Sequence, residues 1–209
     1  ESQKVPGSFV RQSLSRGIGI EQDIGFNPYA FGFIGSSDTH VSAPSLSEEE
    51  HFGKFSHDAD LANRGSVPPD GKKSWDNVET EETELAFISS ASYGASGLAG
   101  VWAESNTRED IFDAMKRKET FATSGPRIKA RFFAGNYENT ILSSTKMLEE
   151  AYEQGTPMGG VYNSTNGSPV FIAWAVMDPD GYPLQRIQII KVWSDEAKNR
   201  EEIYDISCA

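Results

Sequence analysis

The stretch Phe31–His40, FGFIGSSDTH, carries an apolar run into two serines, then an aspartate and a histidine two residues apart. Extended upstream to YAFGFIG (29–35), the run reads as a short, aromatic-rich buried strand closed by Gly35. Residues two apart in an extended chain point to the same side, so Asp38 and His40 can reach one ion or two adjacent ions together. Their place directly after a strand is where α/β barrels carry their catalytic groups. A turn aspartate followed by a surface histidine gives the same three letters, so the pair alone leaves both readings open.

Two protein ligands also fall short of a catalytic metal centre, which takes roughly three or more. The other histidines, His51 and His57, lie six residues apart among carboxylates and fit no compact ligand spacing. Either carboxylates alone close the site, or its remaining ligands lie upstream of Glu1. The histidine count favours the second.

Composition narrows the setting. The chain has 209 residues, enough for one domain, or for the end of one domain and a smaller second. With 37% hydrophobic and 24% charged residues it can bury a core. No window approaches the ~18 apolar residues of a membrane span. A net charge of −12 repels polyphosphate backbones and argues against nucleic acid as a partner. A small anionic substrate is still allowed, because a bound metal sets the local field. The single cysteine, Cys208, excludes an internal disulfide and a cysteine-rich zinc site. No cationic stretch leading into an apolar region opens the chain, so no export signal is visible. Nucleophile-elbow, P-loop and dinucleotide glycine patterns are absent.

Along the chain, Val10, Leu14 and Ile18 recur at helical spacing behind Ser8 as a candidate cap, over residues 8–24. Residues 41–84 form a long acidic loop dense in Ser, Pro and Gly. Apolar pieces follow at Leu85–Ile88 and Leu98–Ala103. TREDIFDAMKRKETFA, from Thr107, is the strongest helix, with Thr107 and Asp110 at capping-box spacing and a stop at TSGPR. RIKARFFAG alternates as a strand, with Ile128, Ala130 and Phe132 on one face and Lys129, Arg131 and Phe133 on the other. STKMLEEAYEQG reads as a short helix with Ser144 as cap and Gly155 as stop. The stretch SPVFIAWAVMDPDGYPLQRIQIIKVWSD predicts two strands joined in a hairpin by DPDG, and REEIYDIS a last strand. A boundary near Pro126 separates an α/β part, 1–126, from a β-rich part, 127–209.

Other chemical candidates are weaker. Thr123, Ser124 and Arg127 of TSGPR offer hydroxyls and a guanidinium to an oxyanion, or simply end a helix before a strand. Trp174 and Trp193 read either as a sugar-stacking platform or as core aromatics.

Taken together, NPYAFGFIGSSDTH, SGLAGVWAESNTREDIFDAMKRKETFATSGPRIKARFFAG, YEQGTPMGG and DPDGYPLQRIQIIKVW with IYDISC resemble the C-terminal part of a bacterial domain-of-unknown-function family. That family is similar to the PHP (polymerase and histidinol phosphatase) metallohydrolases. The resemblance implies the C-terminal part of a PHP-like distorted α/β barrel, followed by a small antiparallel, sandwich-like β-rich subdomain. It implies Asp38 and His40 as metal ligands, matching the family's final D-x-H. The early H-x-H has no counterpart, since His40 is the first histidine. The upstream part of the same protein is therefore expected to supply the other ligands, and this chain alone to be inactive.

The implied cofactors are divalent metal ions, with Mn, Zn and Fe all suited to mixed carboxylate and imidazole ligands. The implied reaction is metal-assisted hydrolysis of phosphoesters or related bonds in a small anionic substrate, with Ser124 and Arg127 near the pocket. The resemblance also points to a soluble bacterial protein, periplasmic or secreted. The alternative is a non-catalytic ligand-binding or structural β-rich module attached to a degenerate metal-binding barrel.

Overall fold

The computed structural model describes residues 9–40, 42, 97–164, 167–195 and 198–208. Ser8, the apolar piece at 85–88, and the acidic loop with His51 and His57 (residue 42 apart) lie outside the described residues.

The first helix, α1 (Val10–Ile24), follows the predicted apolar spacing. It starts at Phe9 without a side-chain cap and ends at Gly25, whose left-handed φ of 75° lets its N–H reach the Glu21 carbonyl. The next strongly patterned segment is α2 (Arg108–Lys116), and its cap is the expected one. The Thr107 hydroxyl accepts the Asp110 N–H at 3.2 Å and donates to the Asp110 carboxylate at 2.8 Å. Glu109 and Asp110 in the first turn and Lys116 in the last complement the helix dipole.

The helix is shorter than its sequence suggested. Lys118 takes a left-handed φ of 63° and reverses the chain. Thr120–Ala122 then forms strand β2, antiparallel to β1 (Ala99–Val101). Phe121 meets Trp102 at 5.9 Å, a contact that a continued helix would forgo.

Strand β3 (Lys129–Gly135) is the centre of a three-stranded antiparallel sheet between β4 (Gly155–Pro157) and β5 (Val170–Val176). Its alternation is as predicted. The Phe133 face is covered by α3 (Met147–Gln154) and builds the core of Phe133, Tyr137, Ile141, Ala151 and Ile172. Gly155 does end α3, but Ser144 is not its cap. The Ser144 N–H closes a 3-10 turn at Ile141–Ser143 on the Ile141 carbonyl, while its hydroxyl accepts the Lys146 N–H and donates to Glu150 at 2.7 Å.

The expected DPDG hairpin is not formed. Asp178–Gly181 is a turn, with the Gly181 N–H on the Asp178 carbonyl at 3.0 Å, yet the strands on either side join different sheets. Pro179 sits inside the turn, and Pro183, two residues beyond it, has no N–H to donate to a ladder there. Strand β5 instead pairs with β3, while β6 (Arg186–Asp195) pairs with β7 (Lys198–Cys208). Trp174 and Trp193 therefore sit in separate sheets. Helix α1 packs on the β6–β7 hairpin, with Arg11 and Glu201 3.2 Å apart.

Among the described residues the fold is thus mixed α and β, with three small antiparallel sheets and no closed barrel. No described helix is long and apolar enough to cross a membrane.

Candidate functional site

The run that reads as a buried strand, 29–35, is extended but joins no ladder among the described residues. Its burial alternates only from Phe33 onward, with Phe33 and Gly35 half-buried and Ile34 57% exposed, while Phe31 is 53% exposed. What would be ladder carbonyls take side-chain donors instead. Thr120 Oγ1 donates to the Phe33 carbonyl at 2.8 Å, and Lys118 Nζ to that of Ala30 at 3.2 Å. These contacts make the segment run in the same direction as β2.

Gly35 then crosses the end of the β1–β2 pair. A Cβ there would lie 2.6 Å from the Leu98 carbonyl oxygen and 2.7 Å from that of Thr123, so only glycine lets the three backbones meet. The Thr123 hydroxyl accepts the Leu98 N–H at 3.0 Å and fixes this junction.

Asp38 and His40 emerge just beyond it. The same alternation that half-buries Ser37 and Thr39 exposes both of them, and His40 Nε2 lies 3.4 Å from Asp38 Oδ1. Asp38 is held at φ 52°, a left-handed conformation uncommon for a side-chain-bearing residue and concentrated at functional sites. The Thr39 N–H on the Ser37 hydroxyl at 3.1 Å braces the turn. A carboxylate and an imidazole are both donor types that divalent transition cations accept. Among the described residues, no group of three or more His, Cys, Asp or Glu converges on one point.

Ser124 is exposed in the bend that follows Thr123, at the same end of the β1–β2 unit. Arg127 is engaged elsewhere. Its guanidinium lies 3.8 Å from Asp178 and 3.4 Å from Asp180, and its N–H donates to Asp178 at 2.7 Å. The N–H groups of Arg127 and then Asp180, with the Arg127 charge, hold the Asp178 carboxyl below the usual aspartate range. The structure brings Asp38 and His40 together and sets Arg127 in a clamp on the Asp178–Gly181 turn.

A second polar group, legible only in part from sequence, ties this unit to the β3 sheet. Glu119, buried at the start of β2, accepts the Tyr152 hydroxyl and lies 3.6 Å from Arg117. The Arg131 guanidinium stacks 3.5 Å from the Trp102 ring and donates to the Tyr152 oxygen at 2.8 Å. Trp102 Nε1 donates to the Ala130 carbonyl at 2.8 Å. Burial, then the Glu119 carboxylate, raises the Tyr152 phenol above its usual range. Position 119 was hidden inside the predicted helix, and nothing in its spacing marks it as buried.

No curated protein and no solved structure matches the chain. A family match covers residues 1–209, and the chain belongs to that family, described as protein of unknown function (DUF3604).

Proposed function

Working from that membership, we propose that the chain is the portion of a metal-dependent hydrolase that supplies two of its metal ligands, Asp38 and His40. The reading rests on one observation: a carboxylate and an imidazole stand side by side at the end of an extended segment, the carboxylate on a left-handed backbone. The resemblance of the family to PHP metallohydrolases, in which Asp38 and His40 match the final D-x-H, supports the same assignment, with a PHP-like barrel as the complete fold. The remaining ligands come from outside the described residues.

A divalent ion held there supplies charge neutralisation and water activation for attack on a phosphoester or related bond. The chain's own residues do the rest. Asp38 and His40 present one carboxylate and one imidazole nitrogen to the cation. The Gly35–Leu98–Thr123 junction fixes where they emerge. Ser124, at the same strand end, offers a hydroxyl to an anionic substrate. Arg127 contributes by holding the turn that follows β5, with its charge shared between Asp178 and Asp180.

The test is metal content and hydrolysis of 4-nitrophenyl phosphate by the full-length protein, with Mn, Zn and Fe supplied in turn. Asp38→Ala and His40→Ala are each expected to lower metal retention and hydrolysis by roughly 100-fold or more, beyond the ~10–100-fold typical of residues that only support ligands. Full metal content and full activity in both variants would overturn the reading.

A further inference from the structure

The two faces of the β3 sheet are treated differently. The Phe133 face lies under α3, whereas the opposite face carries Ala130, Phe132, Ala134, Phe171, Ala173 and Ala175. On it the rings of Phe132 and Phe171 lie 5.5 Å apart and nearly parallel, at 8°. Beside them the TPMGG segment, one of the sequence blocks the hydrolytic site leaves unused, closes a turn with the Gly160 N–H on the Pro157 carbonyl at 3.2 Å. Together they enclose a half-open cavity of about 300 Å³, with Tyr162 and Pro169 completing its wall.

The turn that forms the rim is closely packed. Gly159 has a φ of 83°, and a Cβ on it would run into the Lys118 carbonyl group. At Gly160 a Cβ would strike the Thr156 methyl, which itself lines the cavity. The rim therefore packs against Lys118, in the turn that follows α2. It is a formed wall rather than a loose loop.

What lines the cavity limits what it can hold. Three aromatic rings, two prolines and Met158 make a mostly apolar surface, and among the described residues no Asp, Glu, Lys, Arg or His lines it. An anion or cation would lose its hydration with no opposite charge to meet it. Sugars are disfavoured as well, since their many hydroxyls need more partners than Thr156 and Tyr162 provide. The volume suits a single ring, at the lower end of ligand cavities.

From this we infer that the cleft between Phe132, Phe171 and Tyr162 is a binding site, separate from Asp38 and His40, for a neutral aromatic ring bearing one hydroxyl. The ring stacks on the phenylalanines with its edge toward the Met158 sulfur, and its hydroxyl reaches Thr156 or Tyr162.

Saturation-transfer NMR on the 209-residue chain, using 4-methylphenol as probe, tests this. Binding in the millimolar range is expected, as befits so small a ligand. 4-Hydroxybenzoate, with a charged group in place of the methyl, is expected to bind about tenfold more weakly or worse. Phe171→Ala, at a ring already 49% exposed, should weaken 4-methylphenol by about tenfold while the circular dichroism spectrum is kept. Ala134→Leu fills the floor and is the second variant, with the same expected loss. Absence of transfer to the folded chain, undiminished binding in both folded variants, or tighter binding of methyl glucoside or a proline-rich peptide would each overturn the assignment. Metal loading plays no part in these readouts, so they stand apart from the fate of the Asp38–His40 site.

Discussion

Two apolar, alternating segments, 29–35 and 129–135, look alike on paper and behave differently in the folded chain. The second is paired on both sides, by β4 and β5, and buries Phe133 to 2% exposure under α3. The first is extended but takes its bonds from Thr120 and Lys118 side chains and leaves Phe31 and Ile34 over half exposed. Alternation establishes that a chain is extended. Whether it becomes a ladder strand depends on which backbone edges are free to receive it. The consequence is a division of labour: the paired strand carries stability, and the borrowed one delivers Asp38 and His40 to the surface.

The comparison breaks most sharply at Phe133. Its ring meets Tyr152 edge-on at 5.0 Å and packs in the cluster with Tyr137, Ile141, Ala151 and Ile172. Phe133→Ala is expected to cost about 3–5 kcal/mol in urea unfolding, because the lost burial is joined by a cavity that the paired sheet cannot close. A cost below about 1 kcal/mol would mean that the sheet is not the chief source of stability.

Gly35→Ala probes the other segment and should show a smaller cost in stability with a larger one in function. The new Cβ meets the carbonyl oxygens of Leu98 and Thr123, and neither backbone can yield without moving the junction. Overpacking of this kind costs about 1–3 kcal/mol. Under the metal-site reading, the full-length variant also retains less metal although no ligand has been changed. Unaltered metal retention together with unaltered stability would show that the close approach does not position the pair.

Much of this was visible in the residues themselves. The Thr107–Asp110 cap and the two faces of β3 follow from short-range spacing, which sequence expresses directly, whereas Asp38 and His40 meet through a left-handed turn at Asp38 rather than the extended chain their spacing predicts. Partner choice does not. DPDG marks a turn whichever strands it joins, and only Pro183 beside it hints that β5 and β6 separate. The β3–β5 pairing and the Glu119–Tyr152–Arg131–Trp102 group depend on contacts between residues far apart in the chain. Buried Glu119 in particular looks, from its neighbours, like one more charge near the end of a helix.

The finest probe concerns Asp178, where a sequence signal was right about the turn and silent about its purpose. Its carboxylate accepts the N–H groups of Arg127 and Asp180 at 2.7 and 3.1 Å, and so links the start of the β3 sheet to the end of β5. Those N–H groups lower its pKa in the folded chain. Folding therefore favours the ionised form. The associated stability is fully present above the unfolded aspartate pKa of about 3.9, and it is lost as pH falls through the lower native value. Asp178→Asn keeps one acceptor oxygen and removes the titration. It should unfold slightly more easily than the parent at pH 7 and converge with it at pH 2–3. Parallel pH profiles for parent and variant would show that this carboxylate contributes nothing through its charge. The clamp on Arg127 would then be geometric alone.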